Sequence, residues 1–269
     1  MYTDAHCHPL DLFHAYKQAE EERKNLNAAA AANACSMEEF AYNETLAFGN
    51  VFPCYAIHPQ LPAVIKNDGI KTASLNFENE LENLKCLASS GRLAAVGECG
   101  FDLYNTSFKE TEAVQEMLFI EQLNTALKYN LPVIIHARRA MHKIFYHVKA
   151  LSKCKAVVFH SWSGTLEEGQ ALIRKNVNAY FSFGNIIING HKRAMKCCAL
   201  FPSSRLLTET DAPFQPRRGR AFSSYADLPL VIETAAALRS EAQGNVTAAQ
   251  ELEAIIEKNF FDVFHFTGK

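Results

Sequence analysis

The chain has 269 residues, a formal net charge of −2, 48% hydrophobic and 21% charged residues. This is the composition of a folded globular protein. It excludes a global basic field that would hold nucleic acid by bulk charge alone, and no run of 18 or more apolar residues marks a membrane span.

The start, MYTDAHCHPL, has no positive segment leading into an apolar one, so no signal peptide is expected. Eight cysteines without CxxC spacing read as reduced, mostly buried thiols of a cytoplasmic protein. No linker or low-complexity stretch divides the chain, which predicts one domain over residues 1–269. No motif points to an obligate protein partner.

The first strand is expected over Thr3–His8. Alternation places Asp4, His6 and His8 on one face and Cys7 on the other, so Cys7 reads as packing. Further strands are expected over Ala28–Cys35, Val51–Ile57, Leu93–Cys99, Pro132–Ala137, Ala156–Ser161, Asn178–Phe183 and Leu206–Asp211. Most are near-continuous apolar runs, the pattern of parallel strands covered on both faces.

Helices are expected between them. Thr111–Tyr129 carries Val114, Leu118, Phe119, Leu123 and Leu127 at helical spacing, ended by Asn130 and Pro132. Leu166–Lys175 and Ile187–Leu200 serve as crossovers. Asp227 before Pro229 predicts a cap and first turn of a helix running to about Glu241. A last amphipathic helix holds Leu252, Ile255, Ile256, Phe260, Val263 and Phe264. Eight such units in one domain predict a (β/α)8 barrel with an extra C-terminal helix, the alternative being an open doubly wound sheet.

A barrel gathers functional groups at the carboxyl ends of its strands. His6 and His8 end the first predicted strand. His58 ends the third, Glu98 the fourth, His136 the fifth and His160 the sixth, with Glu209 and Asp211 at the eighth. Glu98 is expected to share parity with Val96, and His160 with Val158. A lone histidine at a strand end is usually a hydrogen-bonded structural residue, and an Asp before Ala-Pro a turn residue. All of them together on six strands point to a shared metal centre. Four imidazoles and two carboxylates exceed one tetrahedral ion and suit two adjacent divalent ions with a carboxylate between them. Asp4, deeper on its strand, reads as a supporting residue that orients a ligand. His14, His142, His147, His191 and His265 fall on helices or loops and read as solvated or structural.

These stretches, TDAHCHP, YAIHPQ, AAVGECGFD, LPVIIHARR, VVFHSWSG and LLTETDAP, run in order from residue 3 to residue 213. Together they resemble the TatD family of metal-dependent deoxyribonucleases in the amidohydrolase superfamily. Asn259 with the following FF resembles that family's closing segment. The resemblance implies a TIM-like barrel, two divalent cations (Mg, Mn or Zn) and hydrolysis of DNA or another phosphodiester. It implies His6 and His8 on the first ion, Glu98 bridging, His136 and His160 on the second, and Asp211 on the first ion and acting on the water. His58, Arg138 and Glu209 match motif positions with less defined roles. After the eighth strand the chain reads RRGRAFSSYADLP, where the family continues toward Arg-Asn-x-Pro, so the resemblance carries the metal site but not the substrate preference.

Arg138 shares parity with His136 and is expected to reach a phosphate. Arg217, Arg218 and Arg220 form a basic cluster at the rim, and Trp162 is placed to stack on a base. An amide or lactone hydrolase would use the same ions on a carbonyl; a Glu rather than a Lys at position 98 suits the nuclease group better. A non-catalytic binding module on the same barrel is the third reading.

Overall fold

The computed structural model describes residues 1–47, 50–67 and 76–264. Eight parallel strands pair in sequence order: β1 Tyr2–Cys7, β2 Ala28–Ala34, β3 Val51–Tyr55, β4 Ala95–Asp102, β5 Val133–Arg138, β6 Val157–Phe159, β7 Ala179–Phe183 and β8 Leu206–Thr208. All eight predicted strands are present, alternating with helices, and they form a nearly closed (β/α)8 barrel. No described helix is long and apolar enough to cross a membrane.

The two faces of each strand enter different cores. Val133, Ile135, Val157, Phe159, Phe181 and Phe183 face outward and pack against helix residues such as Leu84, Phe119, Leu123 and Leu172. The interior layer holds Ala5, Ala29, Ala31, Cys54, Ile134, Val158 and Leu207. The alanine run of β2 is thus split by alternation, with Ala28 and Ala30 packed instead beside Leu12 and Tyr225. The last helix, Ala249–Val263, packs onto this interior layer with Phe260, Val263 and, just past its end, Phe264. Asn259 locks that helix by donating to the carbonyls of Ser203 and Leu206 at 2.8 and 2.9 Å.

The seam between β8 and β1 is closed largely by side chains. Thr208 Oγ1 donates to the Thr3 carbonyl at 2.8 Å. Asp4 accepts from the backbone N–H of Thr210 at 2.9 Å, from Thr210 Oγ1 at 2.6 Å and from the His6 N–H at 3.2 Å. Beyond it the Asp211 N–H reaches the His6 carbonyl and the His8 N–H the Ala212 carbonyl. Asp4 is therefore where the sequence placed it, behind the mouth, holding the backbone that carries His6 and Asp211.

Burial pushes the Asp4 carboxyl from about 3.8 up to about 8, against the hydrogen bonds from Thr210 and His6. The folded chain keeps this proton where the unfolded chain has lost it. The stability it contributes is complete below the unfolded value and declines as pH rises to about 8. Asp4→Asn should remove that slope and cost less than about 1 kcal/mol near pH 7. Asp4→Ala strands two buried N–H donors and should cost about 2–5 kcal/mol. Urea denaturation of both variants at pH 5 and pH 8 checks this.

Several helices differ from the sequence expectation. The crossover read as one helix over Ile187–Leu200 is two, Asn185–Ile188 and Lys192–Leu200. Gly190, at φ +80°, breaks it, and His191 caps the second piece by accepting from the Ala194 N–H at 3.2 Å. Asp227 does not cap the helix Leu228–Gln243 through its side chain. Ser224 starts the turn instead, in a capping box with Asp227. In the last helix Ile255 is 37% exposed, off the buried stripe.

Candidate active site

The predicted residues gather at the carboxyl mouth of the barrel, mostly one to three residues past the strands. His8 follows β1, His58 β3, His160 β6, and Glu209 and Asp211 follow β8. Glu98 lies inside β4 at a shift of the β4–β5 register between Val96 and Cys99. That shift overturns the expected parity: Val96 packs outward with Cys99 and Phe101, while Glu98 points to the mouth. His160 and Val158 do share the interior side as expected. Two glycines permit the geometry around Glu98. A Cβ on Gly97 would meet Ile134 Cβ at 2.5 Å, and Gly100, at φ +133°, lies against the His136 carbonyl.

Glu98 is the hub. Its Oε1 lies 2.6 Å from His136 Nδ1 and 3.0 Å from His160 Nε2. Its Oε2 lies 3.2 Å from His6 Nε2, 3.5 Å from His58 Nε2 and 3.9 Å from His8 Nε2. On the other side, Asp211 Oδ1 is 3.5 Å from His6 Nε2 and 3.7 Å from His8 Nε2. The two Nε2 atoms of His6 and His8 are 3.2 Å apart. Potential ligand atoms thus converge in sets of three within 4.8 Å: His6–His8–Asp211, His6–Glu98–His160 and His58–Glu98–His136. Imidazoles whose Nε2 atoms point at one another between two carboxylates match the nitrogen and oxygen donors that divalent ions take. His58 joins this set more closely than its sequence motif specified.

The electrostatics follow from that crowding. Burial alone would raise the Glu98 carboxyl, but His160, His58, His6 and the hydrogen bond with His136 hold it well below the usual range. Burial and the neighbouring His6 push His8 down to about 3. Against burial, the Glu98 and Glu209 carboxylates hold His160 well above an ordinary imidazole. Hydrogen bonds to Asp102 and Glu98 raise His136, also against burial. Burial raises Asp211.

Three supporting residues escaped the sequence reading. Asp102 Oδ2 lies 3.0 Å from His136 Nε2 and accepts from Gln60 at 2.7 Å, fixing the ring. Both sit inside motif stretches, ECGFD and YAIHPQ, whose polar members pointed to them. Gln215 Nε2 donates to Asp211 Oδ2 at 2.6 Å, and its Oε1 accepts from Ser161 Oγ at 2.9 Å. Nothing in the run FQPRRG singles Gln215 out. Glu209 Oε1 lies 3.3 Å from His160 Nδ1 and accepts from the Ser161 N–H at 2.7 Å, so it orients His160.

The rim agrees with the sequence only in part. Arg138 is exposed at the mouth, its guanidinium 3.7 Å over the Tyr104 ring. Trp162 is 2% exposed and packs edge-on against Phe159 and Phe181, so it is core and stacks on nothing in the mouth. Arg217 is held by Asp227 at 2.7 Å, and of the three clustered arginines only Arg218 lines the cavity. Among the outlying histidines, His14 and His142 are exposed, and His147 pairs with Glu116 at 3.1 Å. His265 lies outside the described residues. Cys7 packs away from the mouth against Tyr225, and all eight cysteines are free.

A (β/α)8 barrel with histidines and carboxylates converging at its carboxyl mouth defines a hydrolase barrel of the metal-dependent class. The family model described as TatD related DNase matches residues 3–265, and the chain belongs to that family. It is similar to the uncharacterized metal-dependent hydrolase YjjV of Escherichia coli K12, at 29% identity over 81% of this chain and 82% of that one. A protein of Erwinia tasmaniensis named 3'-5' ssDNA/RNA exonuclease TatD is 31% identical over 64% of this chain and 68% of its own length. The crystal structure of the E. coli YjjV protein superposes with a TM-score of 0.77 at 25% identity, covering 98% of both chains. The chain is a TatD-type metal-dependent hydrolase.

Proposed function

We propose that the chain is a phosphodiesterase acting on DNA, with two divalent ions at the mouth. The observation that carries this reading is Glu98, which turns one carboxylate oxygen to His136 and His160 and the other to His6 and His8. His6, His8 and Asp211 would hold one ion, His136 and His160 the other, and Glu98 both. Bound there, such ions would act as Lewis acids, polarising a phosphoryl oxygen and making a bound water more acidic.

The remaining chemistry belongs to the chain. Gln215 fixes Asp211 Oδ2, leaving Oδ1 toward the histidines. Asp211 orients the attacking water, takes its proton and returns it to the leaving oxygen. The mouth opens into a cavity of about 1710 Å³. That exceeds the roughly 300–1,000 Å³ usual for a single small ligand and suits a polymer. Arg138, Arg139, Lys192, Arg193 and Arg218 line it and supply the local positive charge that the net charge of −2 lacks. The name of the Erwinia relative supports the same substrate class. Free thiols fit a cytoplasmic setting.

Metal-stripped protein, reloaded with Mg, Mn or Zn, should cleave end-labelled single-stranded DNA and leave a lactone and amide panel untouched. Carbonyl cleavage with intact DNA would overturn the reading. The ions should also bind more tightly as pH rises. His136 and His160 hold protons above the ordinary imidazole range, and these must leave before the ring nitrogens can serve as ligands. Calorimetry at pH 6 and pH 8 should show higher affinity at pH 8, with protons released to buffer at pH 6. Equal affinity at both would remove these imidazoles from the ligand set.

A further inference from the structure

The strand β2 contributes nothing to the cage above, yet it ends at the same mouth. Cys35 follows it, and Ser36 then caps the helix Met37–Leu46. Glu39 completes the cap by accepting from the Cys35 N–H at 2.7 Å and from Ser36 Oγ at 3.1 Å. A carboxylate offers about four acceptor positions, so two such bonds leave it free to accept more.

His8 stands beside them. The ligand atoms of His8, Cys35 and Glu39 lie within 4.8 Å of one another. His8 is buried, and all three line the cavity together with Asp11. Burial, and then the Glu39, Glu98 and Asp11 carboxylates, push the Cys35 thiol well above its ordinary range, and the same carboxylates favour a cation beside it. A thiol, an imidazole and a carboxylate converge here in surplus negative charge, on the wall of an accessible cavity.

We propose that His8, Cys35 and Glu39 form a further metal site, adjoining the cage and taking a thiophilic divalent cation such as zinc. A thiolate, an imidazole nitrogen and a carboxylate oxygen are three of the four donors of a tetrahedral zinc site, with the fourth position open to water from the cavity. Magnesium, which requires an octahedral shell of oxygens, does not suit this set. Binding forms a metal–sulfur bond and releases the thiol proton to solvent, with no change of oxidation state. The site is independent of the substrate class proposed above. His8 is common to both clusters: its Nε2 faces His6 and Asp211, so serving both ions at once takes both of its ring nitrogens.

The test uses the full chain, stripped and reloaded with cobalt(II) or zinc. Cobalt should give a near-ultraviolet thiolate-to-cobalt charge-transfer band, lost in Cys35→Ser. The wild type should retain one more equivalent of zinc after dialysis than Cys35→Ser does. Glu39→Gln keeps an acceptor for the Cys35 N–H but removes the charge, and should weaken zinc retention at this site by tenfold or more. Cys86→Ser, at an exposed cysteine, should change nothing. Absence of the band in the wild type would overturn the proposal. So would its persistence in Cys35→Ser, or equal zinc content in the two proteins.

Discussion

Asp211→Asn is expected to lower kcat by about 10²–10⁴-fold, the range that a positioned general base contributes, while leaving the barrel folded. The side chains are nearly the same size, and the hydrogen bonds that hold this turn, Asp211 N–H to the His6 carbonyl and Ala212 N–H to Thr210 Oγ1, do not use the carboxylate. Asparagine cannot take a proton from water at neutral pH. It can still accept from Gln215 Nε2 through its amide oxygen. Burial raises the Asp211 carboxyl, so it binds a proton more readily than an exposed aspartate, as a base that later acts as an acid must. Steady-state kinetics with a melting curve separates the outcomes. A folded Asp211→Asn protein that turns over at the wild-type rate removes Asp211 from the reaction.

Glu98→Gln has the second large effect, and it reaches stability as well as turnover. The substitution removes the one carboxylate shared by His6, His8, His58, His136 and His160. Turnover should fall below detection, and dialysed protein should retain less divalent metal. In the metal-free chain the loss of a buried counter-charge should cost about 3–5 kcal/mol near pH 6. The pH dependence has a definite sign. His160 and His136 titrate above their ordinary range when folded, so their stabilisation is full below the unfolded imidazole value and fades as pH rises through the raised one. The gap between wild type and Glu98→Gln should therefore be widest near pH 6 and narrow toward alkaline pH. Denaturation of both metal-free proteins across this range checks it. A gap that widens with pH would show that the histidines are not charged partners of Glu98.

Both effects depend on residues visible in the chain before folding. His6, His58, Glu98, His136, His160 and Asp211 each stand at the end of an apolar run, and a parallel barrel brings such ends together. Distant positions could be assigned to one mouth for that reason. The roles of residues within the mouth were less visible. Asp102 and Gln60 act through His136, and their meaning depends on a ring that β5 supplies. Cys35 follows β2 and Glu39 lies in the helix after it, and β2, like β7, ends without a motif.

Chain periodicity by itself determined the eight strands, their order and the end of the barrel where polar side chains collect. These are local properties: an apolar run makes a strand, and a crossover helix makes its neighbour parallel. The folded structure alone decided the rest. The register shift in β4 set the direction of Glu98, Phe159, Phe181 and Phe201 enclosed Trp162, and Asp4 with Thr208 and Thr210 closed the seam across about two hundred residues. Each depends on a contact between segments far apart in the chain, and such contacts exist only after the ends of the sheet have met.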